Sequence, residues 1–175
     1  NRRFDDRLRV SYSTMEDVDS LDKIQHDLIR EALRLTGIDS GIEITTIADI
    51  PGQGTGLGSS STVTVGLLNA MHAFQGRKVS KEQLAEEACQ IEIDTLGAPI
   101  GRQDQYAASF GGVNSIRFGE NGVKVEPIEV SEGLAKKFSE NFTLVFTGLT
   151  RSASRVLSEE SGDQYDKISR MREIR

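Results

Sequence analysis

A chain of 175 residues with 37% hydrophobic side chains can bury one sizeable core without disulfides or a structural metal, so one compact domain is the expectation. The formal net charge of −6 argues against a surface that grips nucleic acid, which needs clustered excess lysine and arginine. No apolar run reaches bilayer length and no signal peptide leads the chain; with the single Cys89, this fits a soluble protein of the reducing cytoplasm without a membrane partner.

The chain opens on Asn1 and a charged run to Arg9, which reads as a piece of a longer protein. From Arg7 to Ser13, Leu8, Val10 and Tyr12 alternate with polar neighbours, the period of a half-buried strand. Leu21, Ile24, Leu28, Ala32 and Leu35 recur at three and four, predicting a helix from Leu21 to Leu35 that stops at Gly37. Ile42, Ile44 and Ile47 make a second β-prone run before Pro51. A glycine-rich loop follows, then a helix over Ser59 to Phe74 closed by Gly76. Ser80 and Gln83 form a capping box for a helix running to about Asp94, and Gly97 and Pro99 break it.

A short polar segment, Gln103 to Phe110, precedes a strand from Val113 to Phe118. The turn signal Glu120-Asn121-Gly122 pairs that strand with Val123 to Val130 as a hairpin. Phe142 to Phe146 reads as a short strand, Ser152 to Glu160 as a helix, and the charged tail from Ser161 as a solvated helix. His26 and His72 fall inside predicted helices without metal-type spacing and read as structural. Strands and helices mix without strict alternation, which indicates an α+β layer architecture.

The loop Pro51-Gly52-Gln53-Gly54-Thr55-Gly56-Leu57-Gly58-Ser59-Ser60-Ser61 carries the chemistry. Four glycines let the backbone approach a phosphate, and the amides at the start of the following helix point at it with the positive end of the dipole. Three serine hydroxyls add donors and an oxygen able to ligate magnesium. A Walker A loop ends in Lys-Ser or Lys-Thr, and no lysine lies between Pro51 and Ser61. A dinucleotide fingerprint needs its third glycine three residues after the second, and neither Gly52-Gly54 nor Gly54-Gly56 supplies it. The competing structural reading is a glycine turn that binds nothing.

Pro51 with Gly56-Leu57-Gly58-Ser59-Ser60-Ser61 resembles the second motif of the GHMP kinases, the family of galactokinase, homoserine kinase, mevalonate kinase and phosphomevalonate kinase. The run Ala98 to Gly112, with Arg102-Gln103-Asp104-Gln105-Tyr106 at its centre, is similar to the D-glycero-D-manno-heptose 7-phosphate kinase group and more loosely to galactokinases. The resemblance implies the family's α+β N-terminal domain, similar to the second domain of ribosomal protein S5, over residues 1–157. Residues 158–175 would then begin the connection to a ferredoxin-like C-terminal domain that is mostly absent. The family's first and third motifs have no counterpart in this sequence, so the chain alone is expected to bind nucleotide weakly and not to turn over.

The resemblance further implies ATP and magnesium as cofactors and a sugar or sugar phosphate as acceptor, with heptose 7-phosphate the leading one. Gly54, Thr55, Gly56, Leu57, Gly58, Ser59, Ser60 and Ser61 would hold the phosphates, Glu92 and Ser60 (or its neighbour Ser59) the metal, and Asp104 would act near the acceptor hydroxyl. Arg102, Gln103 and Arg151 are candidate substrate contacts. Each has an ordinary alternative: Glu92 as a solvated helix acid, Asp104 as a helix N-cap, and the arginines as surface residues. A galactokinase-like monosaccharide kinase and a nucleotide-binding regulator without turnover stay open as alternatives. The sequence does not address oligomeric state.

Overall fold

Leu8 and Val10 have no exposed surface, while Arg9 between them and Ser11 after them are half-buried. This alternation makes β1 (Leu8–Ser11) the central strand of the sheet in the computed structural model, which describes residues 1–48 and 57–145. β2 (Met15–Val18) pairs with it antiparallel, setting Leu8 opposite Val18. β3 (Ile42–Thr45) pairs on its other side in parallel, setting Leu8 opposite Ile42 and Val10 opposite Ile44. A parallel pair needs a crossover, and α1 (Asp27–Thr36) supplies it. The remaining edge of β3 is met by the first residues: the Arg3 amide donates to the Gly41 carbonyl and the Glu43 amide to the Asn1 carbonyl, both at 2.8 Å.

The helices that cover this sheet are α2 (Ser59–Phe74) and α3 (Lys81–Cys89), the latter continued by a π-helical turn over Gln90–Thr95. One buried cluster joins Leu8, Val10 and Ile42 of the sheet to Ile29 and Leu33 of α1, Leu68 and Met71 of α2, and Ile91 of the π turn. α4 (Gln103–Phe110) follows, then the hairpin of β4 (Asn114–Gly119) and β5 (Gly122–Pro127). Ile116, Val123 and Val125 of the hairpin pack on a second cluster, Ala85, Cys89 and Tyr106, so the hairpin rests on α3 and α4. The last element described, α5 (Glu132–Asn141), is capped by Ser131, whose hydroxyl accepts from the Leu134 amide at 3.3 Å.

Several elements depart from the sequence reading. The helix expected from Leu21 begins at Asp27, because Glu16 takes the amides ahead of it: Gln25 N donates at 2.6 Å and His26 N at 3.3 Å. Leu21–Lys23 forms only a 3₁₀ turn, and His26 is the N-cap of α1, its Nδ1 accepting from the Ile29 amide. β2 escaped the pattern because Glu16 and Asp17 break its apolar alternation; Arg7 and Arg9 hold Asp17 by ion pairs instead. The Ser80 cap forms, with the Gln83 amide donating at 3.1 Å, yet the Gln83 side chain turns forward to Glu87 at 2.7 Å and does not reach back. Residues 142–145 are not strand, and α5 was not foreseen. The expected helix over Ser152 to Glu160 and the tail lie outside the described residues.

The α+β class stands, with the glycine loop leading into α2. Among the described residues no helix is long and apolar enough to cross a membrane. Cys89 is a free, buried thiol, and burial pushes it up, partly offset by the neighbouring Arg102.

Candidate functional site

The amino end of α2 is built by glycine chemistry. Gly58 precedes Ser59 with φ of +65°, a left-handed conformation that other residues adopt at a cost, and turns the chain into the helix. The first amides of any helix have no carbonyl partner within it, and the macrodipole adds partial positive charge there. Ser60, Ser61 and Thr64 then lie together on one face of the first turns of α2.

That face meets Glu92. The carboxylate is buried, the residue retaining 2% of its surface, and it accepts from four donors. Ser60 Oγ donates to Oε1 at 2.6 Å and Ser61 Oγ to Oε2 at 2.7 Å. Thr64 Oγ1 stands 3.0 Å from Oε1, and Gln105 Nε2 donates to Oε2. All four are neutral groups, and burying a carboxylate is tolerable only when its lone pairs are satisfied in this way.

The π turn makes the meeting possible. Leu96 N bonds to Ile91 O at 3.0 Å, five residues back, and the wider turn lets Ile91 and Glu92 both point inward, the first into the apolar core and the second onto α2. The alternative of Glu92 as a solvated helix acid is therefore excluded: it is the most enclosed carboxylate among the described residues.

Asp104 sits in the first turn of α4, whose N-cap is Arg102, so the alternative of Asp104 as the helix N-cap is also excluded. Its carboxylate is exposed and lies against Gly58: a Cβ built on that glycine would stand 3.4 Å from Asp104 Cγ. Glycine at 58 thus serves the turn and the close approach at once. Gln105, the next residue, points the other way, with 0% exposure, its Nε2 on Glu92 and its Oε1 without a hydrogen-bond partner among the described residues.

The structure brings together Leu57, Gly58, Ser59, Ser60 and Ser61 with Glu92 and Asp104 around the amino end of α2. Of the three substrate candidates, the two among the described residues turn to other partners. Arg102 lies over the Tyr106 ring, 5.8 Å from its centroid, and beside the Cys89 sulfur. The Gln103 amide folds over Gly101. Gly54, Thr55, Gly56 and Arg151 lie outside the described residues. Sequence reasoning missed Thr64 and Gln105: the first follows Ser60 by one helical turn, the second adjoins Asp104, and only spacing signalled either.

A divalent cation of the magnesium type binds one or two protein oxygens and completes its shell from phosphate and water. Ser60 Oγ and Glu92 Oε1 offer such a pair, with Ser60 open to solvent, and among the described residues no cluster of three or more His, Cys, Asp or Glu competes for a metal. The donor set fits magnesium.

Residues 23–112 match the family model described as the GHMP kinases N terminal domain. Over 125 residues the chain is 36% identical to the D-glycero-alpha-D-manno-heptose 7-phosphate kinase of Campylobacter jejuni, covering 71% of this chain and 37% of that protein. Homoserine kinase of Clostridium beijerinckii is 38% identical over 125 residues, covering 69% of this chain and 37% of its own length. Among solved structures, a D-glycero-D-manno-heptose 1-phosphate kinase from Bacteriodes thetaiotaomicron superposes with a TM-score of 0.68 at 29% identity, over 76% of this chain and 47% of that one. A putative sugar kinase from Campylobacter jejuni gives 0.69 over 97% of this chain and 57% of its own, and at 24% identity it speaks for the fold alone. The chain spans less than two thirds of the length of each of these relatives.

Proposed function

The chain belongs to the GHMP kinase family, and from that premise we propose that it is the ATP-binding part of a kinase that transfers the γ-phosphate to a sugar hydroxyl, with a heptose 7-phosphate as acceptor. The carrying observation is the convergence of Ser60, Ser61 and Glu92 at the amino end of α2, with Asp104 against Gly58. The relative named as a heptose 7-phosphate kinase supports this choice of acceptor, and the solved heptose 1-phosphate kinase supports the broader class of heptose phosphates.

In this reading the loop amides from Gly54 to Ser61 and the amino end of α2 cradle the ATP phosphates. Ser60 and Glu92 would hold magnesium, whose charge would offset the negative charge on the phosphate oxygens. The Asp104 carboxylate accepts no hydrogen bond among the described residues and is exposed, so it is available to orient the acceptor hydroxyl and take its proton late in transfer. Arg102, Gln103 and Arg151 are proposed contacts to the acceptor; Arg102 would exchange the Tyr106 ring for a phosphate by a short swing of its side chain.

The test is a kinase assay on the full-length protein across hexoses, heptoses and their phosphates, with homoserine and mevalonate in the same panel, in the presence of MgATP. Saturable phosphorylation of a heptose 7-phosphate is the expected result. Phosphorylation of homoserine or mevalonate in preference to every sugar would overturn the acceptor class, and nucleotide binding without transfer to any acceptor would favour the regulator.

A further inference from the structure

The four donors on Glu92 are not equivalent. Ser61 Oγ and Gln105 Nε2 both serve Oε2, and Gln105 is wholly buried. Oε1 is served by Ser60 and Thr64, and Thr64 differs from the other three: its hydroxyl oxygen, which carries one hydrogen, stands 3.0 Å from Glu92 Oε1 and also 3.0 Å from the Ser60 carbonyl one turn back. One hydrogen cannot serve both acceptors fully. A carboxylate has about four lone-pair positions, and four donors fill them, so an oxygen that is to bind a cation must first lose a donor.

We propose, on the basis of the kinase reading above, that Thr64 is a two-position hydrogen-bond switch that frees Glu92 Oε1 for the metal. With no cation the hydroxyl hydrogen stays on Oε1 and keeps the buried carboxylate satisfied. With a cation present it turns to the Ser60 carbonyl, and neither position leaves the hydroxyl unpaired. Ser61 and Gln105 hold Oε2 in both states, so the carboxylate does not swing. Thr64 is fully buried, which makes it a positioning residue that touches neither nucleotide nor acceptor.

The switch predicts an effect in an unusual direction. Thr64→Val keeps the shape and removes the hydrogen. The metal-free protein loses a bond to a charged acceptor, whereas the metal-bound protein loses only a bond to a neutral carbonyl, which is about half as strong. Thr64→Val therefore lowers the melting temperature of the metal-free full-length protein, and it tightens binding of Mg·ADP by roughly fivefold relative to wild type.

The measurement is thermal unfolding and calorimetric titration with ADP, in magnesium and in EDTA. Expected are a larger magnesium-dependent rise in melting temperature for Thr64→Val than for wild type, no gain for ADP in EDTA, and wild-type behaviour for Thr64→Ser. Equal or weaker Mg·ADP binding by Thr64→Val, or a gain that persists in EDTA, overturns the switch and leaves the kinase reading in place. A wild-type protein that shows no magnesium-dependent stabilisation by ADP overturns both. If Thr64→Val does not fold, Thr64→Ala is titrated in its place and the same inequality is required of it.

Discussion

Replacing Glu92 by glutamine separates what the carboxylate does for the fold from what it does for the metal. In Glu92→Gln the amide oxygen can occupy the Oε2 position, where it accepts from Ser61 and Gln105 as before. The amide nitrogen then takes the Oε1 position and faces two hydroxyls, Ser60 and Thr64, which can rotate and accept. Every polar atom keeps a partner. Four charge-assisted bonds become neutral ones, but burying a neutral group offsets much of that loss, so the net cost is about 0–2 kcal/mol. Glu92→Ala is different in kind: the hydroxyls find other partners, the Gln105 amide does not, and a cavity opens, for about 2–4 kcal/mol. At about 2–4 °C per kcal/mol for a chain of this size, the alanine variant melts roughly 4–16 °C below wild type and the glutamine variant within about 8 °C of it. Urea unfolding at neutral pH, followed by circular dichroism, measures both. The glutamine variant should meanwhile need more magnesium for activity, with excess metal restoring part of it. Equal destabilisation by glutamine and alanine, or an unchanged magnesium requirement, refutes this account of the cluster.

Asp104→Asn keeps size and one acceptor oxygen but removes the base; turnover should fall about a hundred- to ten-thousandfold, with MgATP binding little changed and no rescue by added metal in steady-state assays. Gly58→Ala forces a side chain into a left-handed position and brings its Cβ to 3.4 Å from Asp104 Cγ, so it should cost about 1 kcal/mol of stability and lower kcat more than it raises the KM for ATP. Burial alone would raise the Glu31 carboxyl, but hydrogen bonds from Arg34 and Arg30 outweigh burial and hold it below its usual value. A lowered folded-state value contributes stability above the unfolded-state pKa of about 4.5 and loses it as pH falls through the lower folded value. Glu31→Gln should accordingly destabilise the protein at pH 7 by about 1–2 kcal/mol and flatten the acid limb of a melting temperature against pH profile.

How far the sequence was legible depended on whether a signal was local. α2 begins at Ser59 and ends at Phe74 as expected, because Gly58 and Gly76 punctuate it locally. α1 lost its expected first turn to a carboxylate, Glu16, lying ten residues earlier in the chain and on another element. β2 has no alternating pattern to read; its pairing is specified by charges on the neighbouring strand. Within the site, the loop serines and the two carboxylates were found through their spacing in a known family motif. The burial of Glu92 was not, since helix periodicity at 3.6 residues cannot anticipate a π turn. Arg102 was read beside Asp104 because the two lie close in sequence, yet the start of α4 sends its side chain over Tyr106.

The π turn at Gln90–Thr95 also means that part of this site is written as a residue count. Each residue of an α-helix advances the direction of its side chain by about 100°, so removing any one residue between Ala88 and Ile91 would return the helix to ordinary winding with Glu92 still in the sequence. The carboxylate would then meet Ser60, Ser61 and Thr64 at a changed angle, and the hydrogen-bond distances that enclose it would not be kept. A comparison that scores the serines and the acid as present would rate such a chain intact. In relatives of this protein, the number of residues from the Ser80 cap to Glu92 is therefore as informative about a working site as the identity of the acid itself.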